Sequence, residues 1–367
     1  MNIFLPSLPA MAAYFDAPYS QVQLSVSLYL ALSGALQLLI GPLTDRYGRR
    51  PVLLAALIGF ILASVGVLTA PTIEIFLICR MLQAVISTAM VLSRAVVRDM
   101  VPPDRAASMI GWLTMGFSLI PMVAPAVGGL LEQSFGWQAS FILLLVLALL
   151  TTVLTWADLG ETATRGQSSL RAQIKAYPVL LSSRRFWSYA LAGAVTSGVF
   201  YAYLGGAPAI GAHIYHLDTA MMGVYFACAG VGYLVGNFVS ARLATRMGID
   251  RMVLLGCLVS VFGTVCMVLG DLMGIHHALQ FFGWISLIGV GNGMTLPSAN
   301  SGMMSVRADL IGSASGLGAA LMVGGGAAFS VIAGHIADAS TTAQPLMLMM
   351  LVTAIMAVVL FLAVKPR

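Results

Sequence analysis

Four groups of residues have types and spacings that could do chemistry. Arg80 and Gln83 stand inside an apolar run, three residues apart, and share a face if the run is helical. An ionised group in such a run is costly and marks a working site by default. Asp45 stands among Arg46, Arg49 and Arg50, between Gly41 and Gly48. A carboxylate among guanidiniums forms strong ion pairs that a moving surface can make and break. Pro121, Pro125, Gly128 and Gly129 combine lost backbone hydrogen bonds with room for close helix approach. The fourth group is His213, His216, His276, His277 and His335 with Cys79, Cys228, Cys257 and Cys266. The histidines could sense pH or hold a metal, but apart from the adjacent His276–His277 none has a ligand spacing. They read as solvated loop polarity, and the cysteines as small buried hydrophobes. With no metal-ligand cluster, catalytic triad or phosphate loop, neither an enzyme nor a metal is expected.

The elements that must position these residues follow from composition. The 367 residues include 18 Lys+Arg and 13 Asp+Glu, so 8% are charged while 59% are hydrophobic. That is too few charges to coat a soluble surface. A soluble enzyme, a disordered chain and a nucleic-acid-binding domain are excluded. The apolar runs are continuous rather than alternating, which argues against a β-barrel. Runs of roughly 20 apolar residues read as membrane-crossing helices. Twelve are expected, over 1–15, 20–42, 52–70, 73–97, 105–131, 138–157, 186–209, 219–241, 251–270, 278–304, 310–334 and 343–364. The stretch 158–185 reads as a linker, with an interfacial helix around Leu170–Tyr177. Arg94, one turn from Arg98, reads as a residue that reaches the interface.

The charges then sort by side. Sixteen of the 18 basic residues fall in the loops after even-numbered spans or at the C-terminus, and the other two are Arg80 and Arg94. The alternate loops hold Asp16, Glu74, Glu132, Asp218, Asp271, Asp338 and all five histidines. Lys/Arg excess marks the cytoplasmic side, so both termini are expected there.

The turn around Arg46 and Gly48 recurs about half a chain later: aligning Arg46 with Arg246 also aligns Gly48 with Gly248. This repeat divides the chain into six-helix halves, 1–157 and 186–367. The glycine, acid, basic cluster and glycine of 41–51, echoed at 242–251, resemble the signature loop of the major facilitator superfamily. Further residues resemble the Bcr/CflA-type drug:proton antiporters within it: Phe4-Leu-Pro-Ser-Leu-Pro9, Leu28-Tyr29, Gln37, Arg80-Met-Leu-Gln83, Val97-Arg-Asp99, Pro125 with Gly128-Gly129, Gly136-Trp-Gln138, Ala207-Pro208 and Gly312-Ser313.

The resemblance implies an all-α polytopic fold of two six-helix halves with a cavity between them, the repeat architecture of this superfamily. It implies a cytoplasmic gate of Gly41, Asp45, Arg46, Gly48, Arg49 and Arg98. In it Asp45 pairs with Arg49 or Arg98, faces the start of span 11 at Gly312–Ser313, and holds the outward-facing state. It implies an antiporter motif in span 5, with Pro121 and Pro125 bending the helix and Gly128 and Gly129 admitting the opposite half. Arg80 is then expected at the cavity, orienting substrate or a proton-carrying acid, against the alternative of an outer-face arginine paired with Glu74. The remaining cavity candidates are Tyr29, Gln37, Gln83, Met115, Tyr201, Tyr203, Tyr233, Asn237, Asn292, Asn300 and Met322. Asn237 and Asn292 could instead bond helix to helix.

The implied function is export of amphipathic drugs or antibiotics across the bacterial inner membrane by alternating access, in exchange for protons. The protein would act as a monomer in the lipid bilayer on a lipophilic small molecule, with no cofactor and no nucleic acid. The alternative is a facilitator or importer of a small amphipathic metabolite. Three features depart from the family, one of them Met322 in span 11, where the family often has Gln. The first span is short, about 22 Å of helix against a core of about 30 Å, so about 10–25 further residues are expected before it. Asn2 stands where the family usually has an Asp, so three alternatives stay open: the coupling acid lies in that segment, Asp16 serves from the outer end, or proton coupling is weak.

Overall fold

The computed structural model describes residues 2–100, 103–162, 177–307 and 310–364. Among them the chain is helical, without a strand, and it passes twelve times between two ends. The first pass is a 3₁₀ segment, Asn2–Ser7, continued by α1, Leu8–Tyr14. Then come α2 (Tyr19–Tyr47), α3 (Arg49–Leu68) and α4 (Ile73–Leu82). A 3₁₀ turn at Gln83–Ile86 joins α4 to α5 (Ser87–Met100), which completes the fourth pass. Helices α6 (Pro103–Phe135) and α7 (Gln138–Asp158) complete the first group. The second group is α8 (Arg184–Ala209), which ends in a π turn at Ile210–Ile214, α9 (Thr219–Met247), α10 (Ile249–Leu272), α11 (Ala278–Met304), α12 (Ile311–Ala339) and α13 (Gln344–Val364).

Nine segments among the described residues are long and apolar enough to cross a membrane. The first pass, α6 and α11 are outside those nine. At 1.5 Å per residue α6 and α11 are about 50 and 40 Å long, so length is not their limit. Helix α11 carries Asn292, Thr295 and Ser298, all buried against its own half, which lowers its hydropathy without exposing polarity to lipid. The expected interfacial helix at Leu170–Tyr177 falls outside the described residues except for Tyr177.

Each group has its own packing. Phe4, Leu5, Leu8 and Met11 are fully buried, so the short first pass is a core element. At the end carrying the acidic loops, Phe15, Phe76, Trp137 and Phe141 form a knot of rings with centroids 5.3–6.0 Å apart, joining the first two helical segments to α4 and α7. In the second group Tyr203, Phe226, Phe281 and Phe282 form a second knot between α8, α9 and α11. Helices in lipid gain nothing from excluding water from one another, so shape and small residues set these contacts.

The repeated turn is repeated in geometry. Gly48 (φ 96°, ψ 157°) ends α2 and starts α3; Gly248 (φ 82°, ψ 157°) ends α9 and starts α10. Each donates its N–H at 2.9 Å to the carbonyl four residues back, Thr44 or Ala244. A positive φ of this size needs glycine.

Candidate functional site

Arg80, at the end of α4, is 1% exposed. Its Nη1 donates to Gln83 Oε1 at 2.7 Å, Gln83 Nε2 donates to Ser64 Oγ at 2.8 Å, and Ser64 Oγ donates to the Phe60 carbonyl at 2.7 Å. The 3₁₀ turn after α4 places Gln83 one turn on, which is why the two side chains meet. Three rings surround the guanidinium carbon, with centroids at 4.2 Å (Tyr29), 4.6 Å (Phe4) and 6.0 Å (Phe141). Among the described residues, Arg80 Nε and Nη2 are buried with no acceptor. Each ring contributes on the order of 0.5–2 kcal/mol, while an unpaired buried ion costs several kcal/mol. The rings therefore offset the burial only in part. The pairing of Arg80 with Glu74 does not occur: Glu74 is exposed at the start of α4.

Tyr29 is also the boundary between groups. Tyr201 of α8 lies within electrostatic range of both Tyr29 and Tyr233 of α9, and its ring packs on Gly326 of α12. Arg80, Gln83, Tyr29, Tyr201 and Tyr233 are thus brought together where the halves face each other. Gln37 is half-buried two turns along α2 from Tyr29, on the same face. Asn300 is half-buried on α11.

Other candidates sit elsewhere. Tyr203 is fully buried in the α8–α9–α11 ring knot, where its bulk is packing. Met322 packs its methyl group onto Gly193 of α8 inside the second group. Asn237 and Asn292 donate to carbonyls four residues back in their own helices, Tyr233 and Ile288, at 3.0 and 3.1 Å. Neither bond links helices, as an apolar-run asparagine would be expected to do. Asp16 is exposed in a turn with φ 50°, away from the interior. The Met115, Asp45, Arg98, Gly41 and Pro121 side chains are outside the described residues, as is Arg94.

The halves close on each other at the acidic end. Tyr19 hydroxyl donates to the Gly205 carbonyl at 2.7 Å, Gln23 Nε2 to Ser330 Oγ at 2.7 Å, and the Ser20 N–H to Asp338 Oδ2 at 3.4 Å. Pro125 and Ala126 of α6 lie against Gly223 of α9, and Gly129 lies against the Thr219 carbonyl. The nearest neighbour of Gly128 is instead the Ile3 carbonyl of its own half, while Gly129 receives the opposite half. Helix α6 runs unbroken through both prolines. Glu132, one residue past the span read from the sequence, is half-buried here, with Oε2 unpartnered and Thr219 beside it. Burial pushes its carboxyl above the usual carboxylate range, and the Thr219 hydroxyl opposes this.

From the acidic end to mid-length, α2 and α12 stay in contact. A Cβ placed on Gly334 would lie 2.7 Å from Gln23 Oε1; on Gly34, 3.3 Å from the Ala320 carbonyl; on Gly316, 3.9 Å from the Gln37 carbonyl.

At the basic end Arg49 is held by Asp99 (Nε–Oδ2 3.2 Å) and Thr44 (Nη1–Oγ1 2.5 Å). Glu161 Oε1 accepts the Arg49 N–H at 2.8 Å and so caps α3. Its carboxylate leaves no room for a Cβ on Gly48. Arg50 Nη2 donates to the Trp156 carbonyl at 2.7 Å, and exposed Arg46 lies over Tyr47 at 5.2 Å. The carboxylates that the described residues place on Arg49 are therefore Asp99 and Glu161. Asp99 stands in the quoted Val97-Arg-Asp99 motif and was open to notice; Glu161, in the polar linker, had no signal.

His276 and Asp271 pair at 3.1 Å in an exposed turn, and His277 caps α11 through Leu279 N–H at 3.1 Å. These are structural roles in loops.

Two six-helix groups that close on each other at one end, with polar and aromatic side chains where they meet, define a polytopic membrane transporter. Residues 1–330 match the Major Facilitator Superfamily model, and the chain belongs to that family. It is 28% identical over 306 residues, 83% of this chain and 73% of the relative, to a chloramphenicol resistance protein of Pseudomonas aeruginosa. It is 29% identical over 310 residues, 82% and 73% of the two chains, to the multidrug transporter MdfA of Edwardsiella piscicida. Among solved structures it resembles a bacterial homologue of the human lysosomal transporter Spinster, with a TM-score of 0.73 at 16% identity over 99% and 92% of the chains. These relatives fit the Bcr/CflA-type resemblance, and the chain is a multi-pass membrane transporter rather than an enzyme.

Proposed function

We propose that the protein exports amphipathic drugs or antibiotics across the bacterial inner membrane by alternating access, as a monomer, in exchange for protons. The basic end and the C-terminus lie in the cytoplasm. In this reading the acidic-end closure faces the periplasm. The observation that carries this reading is the acidic-end closure. It is made of glycine contacts and three hydrogen bonds between halves, all of which can form and break without unfolding either group. The drug class rests on the chloramphenicol-resistance and multidrug relatives.

The test is expression in a bacterium lacking its own pumps. Export raises chloramphenicol resistance and lowers accumulated drug; greater accumulation than in the empty-vector strain refutes it. A second reading is a facilitator without proton exchange. One observation favours it: among the described residues, the acids lie at helix ends and in loops. An uncoupler separates the two, abolishing extrusion against a gradient, and so raising accumulated drug, only if protons drive it.

A further inference from the structure

We propose that Gln23 is the residue that sets how firmly the acidic end stays shut: an amide peg on α2, received by a slot between Gly205 of α8 and Gly334 of α12. The inference rests on the alternating-access reading and assigns a residue to one of its gates. Gln23 is 1% exposed. It stands four residues into α2, about 6 Å from the start of that helix. Its amide is bonded on both sides. Nε2 donates to Ser330 Oγ of the opposite half at 2.7 Å, and Oε1 accepts from Ser27 Oγ, one turn further along α2, at 3.1 Å. Ser27 thus holds the amide in the orientation that Ser330 requires.

The slot is shaped around this side chain. The three nearest neighbours of a Cβ placed on Gly334 would all be Gln23 side-chain atoms: Oε1 at 2.7 Å, Cδ at 2.8 Å and Cγ at 2.9 Å. A Cβ on Gly205 would lie 2.8 Å from Gln23 Nε2. A larger residue at either position would therefore collide with the amide. The two helices also match in spacing. Tyr19, Gln23 and Ser27 recur every four residues on α2, and Ser330, Gly334 and Asp338 do so on α12. Tyr19 donates to the Gly205 carbonyl and the Ser20 N–H to Asp338, which fixes the register on the outer side of the peg. A polar peg suits an end that must open. So near the helix start, an opening gap admits water, and the amide trades its Ser330 bond for one to water at small net cost. An apolar peg would hold the end shut, because opening would expose it to water.

The test is a mutant cycle in the full chain in nanodiscs, with the native cysteines replaced and spin labels at Ala13 and Ala339, exposed on opposite halves. Gln23→Ala removes one hydrogen bond between halves and shifts the closed-to-open ratio about fivefold toward open. Gly334→Ala shifts it about tenfold, because the added methyl collides with the amide. The two effects do not multiply. With the peg gone the methyl enters vacated space, and the double variant stays within about twofold of Gln23→Ala. Gly205→Ala is the control: its loss of thermal stability survives Gln23→Ala, since the Ser330 carbonyl of its own half still lies 2.6 Å from the Cβ. A role confined to packing within one half would move the melting temperature and leave the distances unchanged. If Gly334→Ala does not fold, the double variant must fold; failure of both while Gln23→Ala folds overturns the proposal. Multiplied effects in the double variant, or unchanged distances in folded Gln23→Ala, also overturn it. Chloramphenicol export is measured in parallel. Export by wild type with no distance change in Gln23→Ala defeats this inference alone; the expected cycle without export by wild type defeats the transporter reading and leaves the peg standing.

Discussion

Gly223→Ala is expected to shift the protein from the closed acidic end toward the open one. A Cβ there would lie 2.5 Å from the Pro125 carbonyl oxygen and 2.8 Å from Ala126 Cα, both backbone atoms of the opposite half. Ordinary contact is 3.4–4 Å, so α6 and α9 must move apart by about 0.9 Å at this level. Overpacking of this kind costs about 1–3 kcal/mol. Because the contact joins the halves, the strain is present only when this end is closed. At about 2 kcal/mol the closed-to-open ratio falls roughly 30-fold, so a population closed about 99:1 becomes about 3:1. Gly263→Ala is the matched control. Its Cβ would lie 2.9 Å from Leu287 Cβ and 3.2 Å from the Trp284 carbonyl, but α10 and α11 belong to the same half. It is expected to lower the melting temperature without changing the ratio. The assay places spin labels at Ala13 and Ala339, both exposed near the closure, after replacing the four native cysteines. Gly223→Ala should add a longer-distance population; Gly263→Ala should not. An unchanged distance distribution in folded Gly223→Ala, or the same change in both variants, would refute the reasoning.

Three further outcomes are expected. Glu132 has a raised pKa in the closed state, so that state is unpenalised while the carboxyl is protonated and becomes costlier as pH rises through the interval between its exposed and buried values. Spin-label distances in wild type should therefore lengthen with rising pH, and Glu132→Gln should be flat; Asp218 and the α9 N-terminus beside Thr219 are retained in both. Asp99→Asn removes the carboxylate from a largely buried Arg49 and should lower stability by about 1.5–3 kcal/mol, read as a melting-temperature shift in detergent, with Asp99→Glu recovering part of it. Asp45→Asn should lower chloramphenicol transport while leaving the amount in the membrane unchanged, by immunoblot; wild-type transport would remove Asp45 from the gate.

The passes were legible because a run of about 20 apolar residues has few alternatives to crossing a bilayer. The alignment of Arg46 with Arg246 located Gly48 and Gly248, two of the positive-φ glycines, since glycine is the residue that such a turn tolerates. Arg80 was legible as an ionised group in an apolar run, and Gln83 as its neighbour one turn away. Its rings were not: Phe4 and Phe141 are about 60–76 residues distant in sequence, and an aromatic residue in a membrane helix does not reveal which neighbour it meets. Tyr203 and Met322 were misplaced for the same reason, because type marks what a side chain can do and packing decides what it touches. Asn237 and Asn292 looked like interhelical partners, but a short amide reaches its own helix's carbonyl more readily. Glu161 was invisible because its role depends on the chain returning from α7 to the start of α3.

The two glycine turns share a backbone shape but not a load. At Gly48 a carboxylate from the far end of the half, Glu161, closes over the turn; around Gly248 none of the described residues outside its own turn lies within 4 Å of where a Cβ would be. A duplicated hinge has thus been clamped on one copy and left compliant on the other. If the two halves rock as units, flexing at the basic end should concentrate in the second copy. Hydrogen–deuterium exchange would register it as faster uptake across 245–251 than across 45–51, an asymmetry that the near-identical dihedral angles conceal.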